Sequence, residues 1–105
     1  MITELVLFDL PKDMTREQVA AFFRQNAPKW RANSDLIRKN YLYDPAAQRG
    51  GGVYLWPDIA AARRAHDAAW CEFISNTLGS DPLFQYFETP VVVDNAVGEI
   101  VEVAE

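Results

Sequence analysis

The sequence predicts a single small α+β domain in which the elements follow the order strand, helix, strand, strand, helix, strand. Three observations carry that prediction. Two amphipathic stretches have helix-capping residues, four strand-like runs surround them, and 105 residues leave room for one core only. Residues 1–105 therefore read as one domain.

The first strand, residues 4–9, is apolar on both sides, with Leu5 and Leu7 facing one way and Val6 and Phe8 the other. A strand of that kind is covered on both faces. Pro11-Lys12-Asp13 ends it. Thr15-Arg16-Glu17-Gln18 then has the form of a capping box, with Met14 and Val19 placed as a hydrophobic staple. Val19, Phe22, Phe23 and Trp30 recur at helical spacing, while Arg16, Glu17 and Arg24 lie off that face. Pro28 is expected to kink this helix or to end it near Asn26.

The second strand, residues 36–43, alternates Ile37, Lys39, Tyr41 and Tyr43 against Leu36, Arg38, Asn40 and Leu42. Asp44-Pro45 opens a turn, and Gly50-Gly51-Gly52 leads into a third strand, residues 51–56. The two strands read as a hairpin with a long loop. Asp58 is placed to cap a second helix, whose expected buried stripe is Ile59, Ala62, His66, Trp70 and Phe73, flanked by Ala69 and Ile74. That helix has a natural break at His66-Asp67, where Asp67 can cap a second segment, and a natural stop at Gly79. The fourth strand is expected over residues 83–93. Pro90 removes a ladder donor and belongs on an edge strand. This β-α-β-β-α-β order is the plan of ferredoxin-like folds, in which the last strand lies at a sheet edge.

Two helices cover one face of such a sheet, yet the first and third strands look apolar on both. The expected partner is a second copy of the chain, giving a homodimer packed sheet to sheet, with residues after Asn95 reaching across.

Half of the residues are hydrophobic, enough for a packed interior and unlike a disordered chain. The net charge of −5 disfavours both a phosphate backbone and an anionic membrane surface. No apolar run approaches the roughly 18 residues that span a bilayer. The amino terminus has no basic segment ahead of its short apolar run, so no signal peptide is expected. Cys71 stands alone and cannot form an internal disulfide. A cytoplasmic location is the expectation.

One His and one Cys make no zinc site, and neither a metal nor a cofactor is expected, although His66 alone could hold a haem. The chain has no Gly-x-Ser-x-Gly elbow, and Gly50-Gly51-Gly52 lacks the Lys-Ser/Thr of a P-loop. Residues 49–56 loosely echo an RNA-binding motif. Gly51 and Val53, however, stand where its stacking aromatics belong, and Val6 replaces the aromatic of its first strand. Nucleic acid is not an expected partner.

What remains is a set of amphipathic aromatics (Tyr41, Tyr43, Tyr54, Trp56, Trp70, Tyr86) with Lys39, Asn40 and His66 on the same elements. Residue by residue, these suit a core or a dimer interface. As a set they suit an apolar pocket with few polar anchors, made for a small-molecule substrate.

Lys39-x-Tyr41-Leu42, Gly51-Gly52-Val53-Tyr54-Leu55-Trp56, an Ala-rich helix, and Tyr86-Phe87-x-x-Pro90-Val91-Val92-Val93-Asp94 together resemble the YdhR-like monooxygenase family of the dimeric α+β barrel superfamily. The resemblance implies a homodimer with a pocket between each sheet and its helices. It also implies a cofactor-independent monooxygenase acting on a small phenolic or quinol-like substrate. Redox-neutral lyases, isomerases and cyclases, and non-catalytic binding modules, are the alternatives on this scaffold. In the implied site His66 or Lys39 takes the substrate proton, and Tyr41, Tyr54, Trp56 and Trp70 shape the pocket. Tyr86 or Asn40 orients the oxygen. The superfamily's haem-degrading branch pairs a helical His with a Trp and a first-strand Asn, and the first strand here carries no Asn.

Overall fold

A computed structural model describes residues 1–103. Its elements are β1 (Ile2–Asp9), α1 (Arg16–Arg31), β2 (Arg38–Asp44), β3 (Arg49–Trp56), α2 (Ile59–Ala65), α3 (Ala68–Leu78), β4 (Leu83–Glu88), β5 (Val91–Asp94) and β6 (Glu99–Glu102). The first four strands in the order β2-β3-β1-β4 make one antiparallel sheet, and β5 and β6 form a separate hairpin. The fold is α+β and ferredoxin-like, as expected.

Register sets the two faces of the sheet. Glu4 pairs with Tyr54 and Tyr86, Val6 with Gly52 and Phe84, and Lys39 with Tyr54. Side chains that are paired across strands share a face, so these residues lie together on the helix side. Leu5, Leu7, Val53, Leu55, Asn40, Leu83 and Phe87 lie on the other. The core, including Val6, Phe8, Val19, Trp30, Tyr54, Trp56, Trp70, Ile74 and Leu78, sits between the sheet and the helices.

The capping box at Thr15 forms in full. Pro28 neither ends α1 near Asn26 nor stops it before Arg31. Pro28 and Arg24 are both exposed, so the Arg24 carbonyl that loses its usual helical donor faces solvent.

The second helical stretch breaks where its sequence allows. Asp58 caps α2 by accepting from the Ala61 N–H at 2.8 Å, and Asp67 caps α3 by accepting from the Trp70 N–H at 2.9 Å. The break resets the helical phase, so α3 buries Trp70, Ile74 and Leu78 in place of the expected Phe73, which is 43 % exposed.

The expected strand over residues 83–93 is two strands. Pro90 falls between β4 and β5, and its carbonyl accepts from the Val103 N–H at 2.8 Å. Asp94 accepts from the Ala96 N–H, and Gly98, with φ of +70°, completes the turn into β6. β4 occupies a sheet edge, as the last strand of this plan should.

Candidate functional site

A fully buried ionisable side chain sits on β1. Glu4 is fully buried, and its parity with Val6 and Phe8 points it at the helices. Such a carboxylate is tolerable only with its lone pairs occupied. Trp56 donates its Nε1–H to Glu4 Oε1 at 2.9 Å. His66 Nδ1 lies 2.8 Å from Oε1 and 2.9 Å from Oε2. Burial, then the charge of Glu4 and a hydrogen bond to it, pushes the Tyr86 phenol up to about 12.

His66 is the C-cap of α2 and directly precedes Asp67, the N-cap of α3, and its side chain is fully buried. In the tautomer that donates Nδ1–H to the carboxylate, Nε2 carries the lone pair. Nε2 is buried and has no hydrogen-bond partner. Around the imidazole stand Trp70 at 4.4 Å between ring centroids, Tyr54 at 4.6 Å, Trp30 at 5.1 Å and Phe84 at 5.5 Å. A buried base held by a carboxylate, with its second nitrogen free, is the orienter–base geometry of general-base sites.

Lys39 reaches the same rings from β2. Its Nζ lies 3.7 Å from the Tyr41 ring centroid, 4.3 Å from Trp30 and 4.5 Å from Tyr54. Burial, reinforced by the charge of Lys29 and opposed by Glu4, lowers its amine to about 6. Gly52 makes room for it, because a Cβ there would lie 3.0 Å from Lys39 Cε and 2.9 Å from the Tyr54 ring. The Tyr41 hydroxyl is also buried without a partner, and burial raises it to about 12. Burial raises Tyr54 as well.

A cavity of about 20 Å³ lies between sheet and helices, lined by Lys39, Tyr41, Tyr54, Trp30, Trp70 and Asn26 among others. Trp30, Lys39 and Tyr41 also line an outer groove of about 490 Å³ that runs along Asn33, Ser34 and Arg38. The structure thus gathers Lys39, Tyr41, Tyr54 and Trp70 at one cavity, with His66 packed against its wall. Trp56 and Tyr86 hold Glu4 and do not line it. Asn40 is not part of the site, since strand alternation turns it to the opposite sheet face, under the β5–β6 hairpin.

Sequence reasoning missed Glu4 and assigned Trp30 to core packing alone. Glu4 was detectable as one carboxylate on an otherwise apolar strand face. A haem does not fit this arrangement. Four aromatic rings crowd the imidazole, Nε2 is buried, and 20 Å³ holds about one water. Among the described residues no three His, Cys, Asp or Glu side chains cluster as a metal site, and no helix is long and apolar enough to cross a membrane.

Solved structures with the same ferredoxin-like α+β fold include antibiotic biosynthesis monooxygenases. The chain matches a crystal structure of an antibiotic biosynthesis monooxygenase with a TM-score of 0.63 at 16 % identity, over 85 % of this chain and 98 % of that one. A Deinococcus radiodurans protein proposed to be of the same kind matches over 100 % of both chains, with a TM-score of 0.66 at 11 % identity. A variant of SnoaB, a cofactor-independent oxygenase from Streptomyces nogalater, matches over 84 % of this chain and 91 % of its own, with a TM-score of 0.60 at 16 % identity. At these identities the likeness is one of fold. No family model matches the sequence, and no curated protein matches it significantly.

Proposed function

We propose that this protein is a cofactor-independent monooxygenase acting on a small phenolic or quinol-like substrate, with His66 as the catalytic base. The observation that carries this reading is the free, buried Nε2 of His66, fixed by Glu4 from the other side of the ring. The substrate hydroxyl gives its proton to Nε2, and the resulting anion transfers one electron to dioxygen. Superoxide and the substrate radical join through a new C–O bond. The peroxide regains a proton from His66, the ring carbon loses its hydrogen as a proton, and O–O cleavage releases water. A phenol and dioxygen have become a quinone and water. An enclosed aromatic pocket favours the electron-transfer step by excluding water from the anion. Lys39 and Tyr41 stand where a substrate coming through the outer groove meets the cavity.

A cavity of 20 Å³ is far below the roughly 150 Å³ that takes a benzene ring. Substrate binding therefore requires the half-exposed Phe22–Phe73 stack or the Lys39 side chain to move aside, and one of the Trp30, Tyr54 and Trp70 rings between the cavity and His66 to move with it. The same small volume favours a second reading, a non-catalytic binding module whose aromatics are simply core. Oxygen uptake with a panel of hydroquinones and naphthols decides between them. Wild type should consume oxygen and His66→Ala should lose at least about 100-fold, the ordinary worth of a general base. Equal inertness of the two proteins would remove the catalytic reading. Turnover without oxygen uptake or added product mass would assign a redox-neutral lyase, isomerase or cyclase. The active form in this proposal is a homodimer.

A further inference from the structure

We propose that Lys39 is a covalent carbonyl-binding site, its amine condensing with small aromatic aldehydes held in the outer groove to form an imine beside Trp30 and Tyr41. This activity needs no dioxygen and does not depend on the monooxygenase reading.

Three observations converge on it. Lys39 lines both the small cavity and the outer groove, together with Trp30 and Tyr41, so its side chain stands between the two. Among the described residues it has no ion pair, although the chain carries a net charge of −5. Trp30 and Tyr41, whose ring centroids lie 4.3 and 3.7 Å from the nitrogen, also line the groove of about 490 Å³, which has room for an aromatic aldehyde beside them. Lysines desolvated in apolar pockets become nucleophiles in this way.

The charged and titratable groups around the amine come from every neighbouring element. Lys29 on α1 and burial both favour the neutral amine, and Glu4 on β1 opposes them. Tyr54 on β3 and Tyr41 on β2 remain protonated at neutral pH, and His66 lies across Tyr54 and Trp30. The ring faces pull the other way, since they attract an ammonium. In the reaction the nitrogen lone pair forms the C–N bond and the carbonyl π pair moves to oxygen. That oxygen takes up both protons shed by nitrogen and leaves as water, giving C=N. The orphaned Tyr41 hydroxyl is the proton relay present in the same pocket.

The test is reductive trapping of the wild-type protein with 4-hydroxybenzaldehyde and cyanoborohydride, followed by peptide mapping. The chain has three lysines, Lys12, Lys29 and Lys39, which makes the comparison internal. Lys39 should be labelled more than about ten-fold faster than Lys12 at pH 7, because an exposed lysine is almost wholly protonated there. Its rate should fall as pH drops through about 6. Lys39→Met should lose the adduct on that peptide and keep slow labelling elsewhere. Labelling at Lys39 no faster than at Lys12 would mean that the rings hold a protonated ammonium, and would overturn the proposal. The amino terminus is read separately on its own peptide.

Discussion

Two residues decide how this site behaves. Glu4 is one, and its place was partly legible: it shares strand parity with Val6 and Phe8. What the sequence could not supply was the register that sets it opposite Tyr54 and Tyr86, or the break at His66 that brings an imidazole down onto it. Lys39 is the other. Strand alternation already grouped it with Tyr41 and Tyr43 and separated it from Asn40, so their opposite sheet faces could be read from parity alone. Its amine is lowered from 10.5 to about 6 in the fold. Between those pH values the unfolded chain holds a proton that the folded chain lacks, so stability gains from rising pH across that window. Below about pH 6 both states are protonated and the full burial penalty applies. Above 10.5 both are neutral and it vanishes. Lys39→Met should therefore increase stability near pH 7 by on the order of 1 kcal/mol, raise the melting temperature with it, and flatten the rise of wild-type stability between pH 6 and 10. Thermal melts of the two proteins at pH 6, 8 and 10 measure this. Parallel pH profiles would show that the lysine carries its proton in the folded state.

At the scale of elements, local chemistry was read well where a polar side chain meets backbone and less well where one element ends and another begins. The caps at Thr15, Asp58 and Asp67 all form. The helical stripe failed at Phe73 because one period was carried across a break that shifts the phase. The fourth strand was drawn too long because Val91-Val92-Val93 continues the apolar run, although Pro90 and the Asp94–Gly98 turn divide it. Asp67 links element to site. Its cap fixes the start of α3, and the residue before it is His66. Asp67→Ala should cost about 1 kcal/mol in urea unfolding, the usual worth of such a cap. It should also loosen the imidazole, visible as a changed His66 ring signal in NMR at a pH where the fold is intact. A full stability loss with an unmoved ring signal would show that the Glu4 hydrogen bonds alone position His66.

For the whole molecule, the helices cover one sheet face and leave the other to something else. On that open face Leu83 is 71 % and Phe87 52 % exposed, beside half-buried Leu5, Leu7, Val53 and Leu55. The β5–β6 hairpin pairs only with itself and carries Val93, Val97 and Ile100 at 63 %, 64 % and 72 % exposure. Between hairpin and sheet run grooves of about 370 and 390 Å³, lined by Val53, Leu55, Val92 and Val93. An apolar face with an apolar arm beside it is self-complementary, because a two-fold axis can lay each arm into the other copy's groove. Isolated apolar residues on a surface need no partner, but a contiguous set on one face and its adjoining arm does. The homodimer proposed above should sediment as a dimer at low micromolar concentration. Leu83→Glu with Phe87→Glu places two carboxylates where two sheets would meet, and should weaken association by at least about 100-fold, or roughly 3 kcal/mol. Both positions lie on the face away from the core, so the helical circular dichroism should be retained. A wild-type monomer at that concentration would leave the open face and the hairpin without the second copy that their pattern calls for. The pocket would then have to work, if it works at all, within one chain.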